Sequence, residues 1–277
     1  MKYEDKEKNV TIIAKEINIG KAVVFGRDIQ VSVKGEFRIG DHSRLGSDTR
    51  IFGNNVIFGK HLFNSSGLRV GGGGRQNPTA NLQIGDRCTI HDNFINVCEP
   101  VVIGNDVGLS PRVILTTHGY WLSVLEGFPA TFAGIKIGDG VIVGTGSSIL
   151  MGVEIADFVV VGAASVVTKS ITMQMAIYAG NPAKFIKLVT LLSADARVAM
   201  LDTIIEKYSN VAEYHDINPE IRVVYPLVEI NDFWINVETF EYDGEEDKET
   251  DDFRDYIRKW GIRIYTERPF KSNFSFG

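Results

Sequence analysis

The chain has 277 residues, of which 44% are hydrophobic and 23% charged, and it carries a net charge of −6. This length and composition fit a globular protein with a sizeable core, and the negative balance argues against a nucleic-acid partner. No apolar run reaches the ~18 residues of a membrane span, and no apolar segment follows the charged residues 1–8, so we expect a cytoplasmic protein without a secretion signal.

Residues 13–63 contain two series of apolar residues, and within each series the members are six positions apart. One register consists of Ile13, Ile19, Phe25, Val31 and Phe37. The next consists of Ile39, Leu45, Ile51, Ile57 and Phe63. A helix repeats near 3.6 residues and a half-buried strand near two, so a six-residue period fits short strands separated by corners.

Two breaks interrupt this period further along the chain. The first, near 65–82, holds four consecutive glycines at 71–74, and the second lies near 116–134. The registers between the breaks are Ile84 and Ile90, then Val97, Ile103, Leu109 and Leu115. After the second break the period is unbroken through Ile137, Val143, Ile149, Ile155, Val161 and Val167. Each break indicates an inserted loop, and such loops tend to carry function.

The six-residue period predicts a stacked parallel coil. Three hexads close one triangular coil, and successive coils stack as parallel strands ~4.8 Å apart, each burying the face of its neighbour. Pairs such as Gly40-Asp41 and Asn105-Asp106 fit the corners, where these residue types adopt a positive φ readily. The spacing does not fix the handedness of the coil.

The period ends after Lys187, and the remaining residues indicate a small α+β extension. Ser193 is a suitable N-cap for a helix over 193–208, which has an apolar stripe. Strands are predicted over 221–230 and 233–242, with Asn231-Asp232 as the turn. The acidic stretch 241–252 is expected to be a solvated loop, followed by a helix over 251–259 and a strand over 262–266.

Three stretches of the chain resemble the hexapeptide-repeat acyltransferases. They are IGDGVIVG at 137–144, GAASVVTK at 162–169 and AGNPAK at 179–184. The chain is most similar to the sugar O-acetyltransferases, such as those that act on maltose, galactosides and surface polysaccharides. The resemblance implies a left-handed parallel β-helix over 1–188, with insertions near 65–82 and 116–134. It does not reach the small C-terminal α+β extension over 189–277, so the expected fold class is mainly β with that extension. It also implies a homotrimer, with acyl-CoA bound between two subunits.

The resemblance further implies transfer of an acetyl group from acetyl-CoA to a hydroxyl of a sugar or glycan precursor, as in polysaccharide biosynthesis. Such a transfer needs a base for the hydroxyl proton, donors for the developing oxyanion and alignment of both substrates. His118 is the candidate base, because similar enzymes carry their catalytic histidine at the start of the corresponding loop, and histidine is suited to proton transfer near neutrality.

The coil before His118 and the second loop supply the candidate acceptor contacts. They are Asn93, Asn96, Tyr120, Trp121 and Glu126. The asparagines could equally be corner residues, and Glu126 could be an exposed loop charge. The aromatic residues could stack on a sugar, form a lid or pack the loop onto the next subunit.

The resemblance places the CoA contacts on six residues near the end of the repeat. They are Thr145, Ala163, Thr168, Lys169, Lys184 and Lys187. Small residues at 144–146 and 162–164 would let the pantetheine arm lie against the main chain, and the lysines would offer positive charge to the CoA phosphates. The family often has tryptophan where this chain has Ile142, so the resemblance does not extend to stacking at that position.

No metal is expected. Carbonic anhydrases share the β-helix, but their pattern has a second histidine five residues after the loop histidine, where this chain has Ser123. Two other functions stay open at this point. One is an N-acetyltransferase acting on an amino sugar, and the other is a non-catalytic β-helix scaffold.

Overall fold

The computed structural model describes residues 1–73 and 77–270. The middle of the predicted first loop, 74–76, therefore lies outside the described residues, as does 271–277. The chain divides into two compact units, Met1–Val189 and Thr190–Gly277.

The first unit is a coil of short strands that form three parallel sheets. The first sheet contains Lys2–Asp5, Val10–Ile13, Ile29–Val33, Arg50–Gly53, Arg69–Gly71, Phe94–Asn96, Ile114–Leu115, Ser148–Ile149 and Val166–Val167. The second contains Glu16–Ile19, Glu36–Ile39, Asn55–Phe58, Asn81–Ile84, Val101–Ile103, Ile135–Ile137 and Glu154–Ile155. The third contains Val24–Phe25, Arg44–Leu45, Phe63–Asn64, Thr89–Ile90, Gly108–Leu109, Ile142–Val143, Val160–Val161, Ala176–Ala179 and Lys184–Leu188.

The chain visits the three sheets in turn, so each circuit is one triangular coil and each strand pairs with the strand of the next coil. Parallel pairing holds throughout, except that Lys2–Asp5 and Lys184–Leu188 pair antiparallel at the two ends of the stack. The predicted mainly β fold, a parallel β-helix with a small C-terminal α+β extension, is confirmed.

One inward side chain per strand fills the centre of the coil. In the first sheet this column consists of Val31, Ile51, Val70, Ile95, Leu115, Ile149 and Val167, each at most 2% exposed. Burial of one such side chain contributes about 1.5–3 kcal/mol, and the column repeats in the other two sheets. The core therefore runs along the axis of the coil.

The predicted registers are wrong at three positions of the N-terminal half. Ile13 is 47% exposed, and Ile57 and Phe63 are only partly buried, whereas Phe58 and Asn64 face inward. Phe58 aligns with Ile39 in the second sheet. The corner at Asn54-Asn55 holds one extra residue, which shifts the inward phase because successive strand side chains point to opposite faces.

The Gly-Asp and Asn-Asp corners are tied together by a side-chain ladder. At five steps between neighbouring coils an Asp or Asn Oδ1 accepts a hydrogen bond from a main-chain N–H of the coil before, and the step from Asp41 to Lys60 interrupts the series. The accepting and donating residues are Asp41 and Lys21, Asp86 and Lys60, Asn105 and Asp86, Asp139 and Asn105, and Asp157 and Asp139. The ladder pairs corner N–H groups that the short strands leave over.

The second inserted loop leaves the coil through a two-stranded antiparallel ribbon, His118–Gly119 with Thr131–Phe132. Its tip contains a short 3-10 helix, Val124–Glu126, which Ser123 caps and which has no buried residue. The loop returns to the coil at Ile135–Ile137.

The second unit packs two helices, Ala194–Tyr214 and Lys248–Arg258, with a four-stranded antiparallel sheet. The strands are Ile221–Val224, Leu227–Ile230, Phe233–Asn236 and Tyr242–Gly244. Ser193 is the N-cap of the first helix, as predicted. The predicted strand over 262–266 is wrong, because the Ile264 carbonyl accepts hydrogen bonds from the buried Arg254 guanidinium rather than from a neighbouring strand.

Candidate active site

His118 lies where the second loop leaves the first sheet, directly after the strand Ile114–Leu115. Its half-buried ring lies parallel to that of Phe132, with centroids 6.0 Å apart, and 5.3 Å from the ring of Tyr120. Tyr120 and Phe132 also stack on each other. The ribbon thus holds the imidazole between the coil and two aromatic side chains.

The amide of Asn96 fixes the tautomer of His118. Nδ1 of His118 lies 2.9 Å from Oδ1 of Asn96. The Asn96 amide nitrogen donates to the carbonyls of Gly71 and Gly72 at 3.0 and 2.7 Å, so the oxygen is the atom that faces the ring. Since an amide oxygen only accepts, Nδ1 carries the proton and Nε2 presents its lone pair. This is the tautomer that a general base needs.

Thr117 and Glu99 extend this contact into a buried network. The Thr117 hydroxyl donates to the same Asn96 oxygen and accepts from the main-chain N–H of Glu99, 3.2 Å away. Asn96 is 2% exposed and Thr117 is fully buried. The side-chain groups that hold Nδ1 are therefore neutral and fixed by packing.

Glu99 also fastens the returning end of the first loop. One carboxylate oxygen accepts from the Asn77 amide and the other from the Thr79 hydroxyl, each at 3.1 Å. The first loop is therefore attached at both ends to the corner at 96–99, immediately below His118.

Neither of the two asparagines that were predicted to bind the acceptor is exposed at a surface that a substrate could contact. Asn93 is fully buried, accepts from the His91 N–H and donates to the Ser110 carbonyl. Asn96 lies beneath His118, and its amide is occupied as described. The contacts of Asn96 make it a positioning residue, and an acceptor contact by either asparagine stays a prediction that this geometry does not support.

The other predicted acceptor contacts lie on the second loop. Tyr120 is 56% exposed and touches the His118 ring, whereas Trp121 is 90% exposed. Glu126 lies in the exposed 3-10 helix at the tip. The structure therefore brings Tyr120 to the base and leaves Trp121 and Glu126 on the open surface of the loop.

The six predicted CoA contacts fall into three places on the coil. Thr145 and Ala163 lie on adjacent corners, where the Ala164 N–H donates to the Thr145 carbonyl at 2.9 Å. Thr168 and Lys169 follow Val166–Val167, at the same end of the first sheet as His118 but two strands along. Lys184 and Lys187 lie on the exposed edge strand Lys184–Leu188. The six residues therefore lie at three separate places on the coil.

Four features of this site escaped the sequence analysis: Phe132, Thr117, Glu99 and the glycines at 71–73 as a contact of His118. Thr117 directly precedes the candidate base, which was a usable signal. The glycines were recognised as a loop, but their contact with a histidine more than forty residues later has no local pattern.

In the described part of the chain, no group of three or more histidine, cysteine or acidic side chains could hold a metal ion. Burial raises the pKa of the Cys88 thiol to about 12, so this cysteine is an inert core residue. Among the described helices, none is long and apolar enough to cross a membrane.

Comparison with solved structures finds several acetyltransferases that are similar to this chain. A hexapeptide-repeat acetyltransferase from Vibrio cholerae is 23% identical, with a TM-score of 0.42 over 48% of this chain and 74% of that one. The polysialic acid O-acetyltransferase OatWY is 24% identical, with a TM-score of 0.49 over 64% and 87%. A maltose O-acetyltransferase from Clostridium difficile 630 is 24% identical, with a TM-score of 0.33 over 65% and 70%.

No protein-family model matches the sequence, and no curated protein matches it significantly. The resemblance to the hexapeptide-repeat acyltransferases is confirmed at the level of the fold. At these identities the likeness is one of fold alone, so activity has to be argued from the site.

Proposed function

We propose that the protein transfers an acetyl group from acetyl-CoA to a hydroxyl of a sugar or glycan precursor, with His118 as the general base. The observation that supports this most directly is the contact of His118 Nδ1 with the buried Asn96 oxygen. This contact leaves Nε2 unprotonated and directed away from the coil, beside a loop that a substrate can reach.

In this mechanism Nε2 of His118 takes the proton of the acceptor hydroxyl as its oxygen attacks the thioester carbonyl. The resulting imidazolium is stabilised by the Nδ1–H hydrogen bond to Asn96, and it returns the proton to the departing CoA sulfur. The N–H of Thr145 is the candidate donor to the oxyanion. The chain forms no covalent intermediate.

We propose that acetyl-CoA, the acetyl donor, binds at the last coils of the β-helix. Gly144 and Gly162 leave no room for side chains, since a Cβ on Gly144 would lie 2.5 Å from the Ala163 nitrogen. The resulting shelf of main chain suits the amides of a pantetheine arm, and the exposed Lys169, Lys184 and Lys187 offer charge to phosphates.

We propose a homotrimer in which a neighbouring subunit completes the donor groove. The predicted CoA contacts are spread over three places of one protomer, and the second loop exposes Trp121 and Leu125 almost completely, at 90% and 94%. A second copy would cover these apolar side chains.

The test is turnover of acetyl-CoA with a panel of methyl glycosides, amino sugars and nucleotide sugars, followed by released thiol and product mass. His118→Ala should keep the melting temperature and lose about 10²- to 10⁴-fold in kcat, the usual contribution of a general base. His215→Gln, which changes a histidine of the second unit paired with Asp252, is the matched control and should keep wild-type turnover.

Undiminished turnover in His118→Ala would remove His118 from the mechanism. An acetylated amine, with no acetylated hydroxyl, would replace the proposed O-acetylation by N-acetylation at the same base.

A further inference from the structure

The first inserted loop contributes a second feature to this site. Its glycine run, defined as Gly71, Gly72 and Gly73, reaches the free edge of the His118 ring. A Cβ atom on Gly73 would lie 3.4 Å from Cε1 and 3.8 Å from Nε2 of His118. Main chain, with no side chain, therefore lies beside the nitrogen that takes the proton in the proposed mechanism.

Packing holds the glycine run in this position. The Asn96 amide binds the carbonyls of Gly71 and Gly72. A Cβ on Gly72 would lie 2.6 Å from Cζ of Phe94 and 3.1 Å from the Asn96 amide nitrogen, so the run can lie this close only without side chains. The residue that fixes the tautomer of His118 thus also fixes the main chain in front of it.

The returning end of the loop is fixed to the same corner. Glu99 binds Asn77 and Thr79 through its carboxylate, and its N–H donates to Thr117, which in turn donates to Asn96. One continuous network therefore links His118 to both ends of the first loop.

The order of the strands places the glycine run on one side of His118. In the first sheet, Arg69–Gly71 lies on the N-terminal side of the strand that precedes His118, beyond Phe94–Asn96. Ser148–Ile149 and Val166–Val167, which border the proposed donor residues, lie on the C-terminal side. With the donor on one side, the glycine run faces the position left for the acceptor.

We infer that the glycine run is the acceptor-side wall of the active site, and that Gly73 determines how bulky an acceptor can bring its hydroxyl to Nε2 of His118. This inference rests on the proposed function. A bare main chain leaves room for a pyranoside ring beside the base, and a methyl group at position 73 would narrow that approach while leaving a small polyol free to react.

The experiment compares two acceptors, methyl glucoside and glycerol, with acetyl-CoA as the donor in both cases. Gly73→Ala should lower the ratio of kcat/KM for methyl glucoside to that for glycerol by about 10-fold, the lower range for one methyl group in a specificity pocket. The KM for acetyl-CoA should not change. A purely structural defect would lower turnover with both acceptors alike and leave the ratio unchanged.

Two further variants complete the experiment. Gly261→Ala adds the same methyl group at another glycine with positive φ, +87° against +115° at Gly73, but in open space, and should keep the wild-type ratio. Glu99→Gln loosens the returning end of the loop without adding bulk. It should also change the ratio, and it tests the wall if Gly73→Ala does not fold.

The outcomes separate the two proposals. If the wild-type protein releases thiol but the ratio is unchanged in both Gly73→Ala and Glu99→Gln, the acceptor wall is overturned while the proposed function stands. If the wild-type protein releases no thiol with any acceptor of the panel of methyl glycosides, amino sugars and nucleotide sugars, the proposed function fails and the acceptor wall fails with it.

Discussion

At the scale of single residues, the site depends on one amide that both accepts and donates. The Asn96 oxygen accepts from His118 Nδ1 and from Thr117, while its nitrogen donates to the carbonyls of Gly71 and Gly72. A carboxylate would set an anion against those two carbonyls, and an aliphatic side chain would leave every partner unpaired. Asparagine meets both requirements at once.

Asn96→Leu should therefore slow the reaction without weakening donor binding. We expect kcat to fall about 10- to 100-fold, by analogy with groups that orient the histidine ligands of metal sites, with an unchanged KM for acetyl-CoA. Asn93→Leu is the matched control, because Asn93 is also buried in the same coil but holds the His91 N–H instead of His118.

Both asparagine variants should lose stability, since each leaves buried polar groups unpaired at about 1–3 kcal/mol per group. Only Asn96→Leu should show a fall in kcat that is larger than its loss of folded protein explains. Melting temperature and active-site titration measure the loss of folded protein, and so distinguish it from a fall in kcat. Equal losses of kcat in the two variants would assign Asn96 a structural role alone.

The sequence predicts His118 as the base and Asn96 as an acceptor contact, but it does not predict the hydrogen bond between these two side chains. The resemblance located the histidine at the start of a loop, where the period breaks. The role of Asn96 depends on burial beneath the glycine run, which lies about 25 residues earlier in the chain, and no local pattern reports such a contact. Its neighbour Ile95 is the inward residue of that strand, so the period gave no reason to expect Asn96 to be buried as well.

At the scale of the elements, the six-residue period identified the strands, and corners of unequal length limited how far it could assign faces. The period has no exception from Ile137 to Val167, and those residues are all buried. It fails at Ile57 and Phe63 because the Asn54-Asn55 corner is one residue longer. A corner is held by hydrogen bonds that several residue types can make, so its length is weakly marked in the sequence.

The side-chain ladder at the corners should contribute measurably to the stability of the coil. Asn105 accepts the Asp86 N–H at 2.9 Å, and its own N–H donates to Asp139. Asn105→Ala should cost about 0.5–1.5 kcal/mol, the net value of one hydrogen bond, read as a lower midpoint of urea denaturation with an unchanged slope. Asn18→Ala removes an amide whose hydrogen bond to Glu36 is exposed to solvent, and it should change the midpoint less.

A midpoint for Asn105→Ala equal to that of Asn18→Ala would show that the ladder is incidental to stability. The ladder would then follow from the corner geometry instead of holding it.

At the scale of the whole molecule, two units have separate cores built on different principles. The first unit buries aliphatic columns. The second packs helices and a sheet around apolar residues and one arginine, Arg254, which is 1% exposed. The loss of the period after Lys187 predicts a boundary near that residue. The buried arginine has no periodic signal, so the sequence does not predict that it binds the main chain of residues 264 and 268.

Arg254 should therefore control the stability of the second unit. Its guanidinium contacts Glu246 and Asp251 and donates to the carbonyls of Ile264 and Arg268. Arg254→Met removes the cation and leaves buried carboxylate oxygens without it, a change that costs about 3–5 kcal/mol when one partner of a buried pair is removed. Because each unit has its own core, we expect calorimetry to show a second-unit transition at lower temperature and an unshifted β-helix transition.

Arg222→Met is the matched control for this change. Arg222 also pairs with a carboxylate, Glu229, at 3.0 Å, but its side chain is 67% exposed, and exposed pairs contribute about 0–1 kcal/mol. Its calorimetric trace should therefore match that of the wild-type protein. If Arg254→Met instead lowered a single common transition, the two units would unfold as one cooperative body, and the arginine would stabilise the whole chain through it.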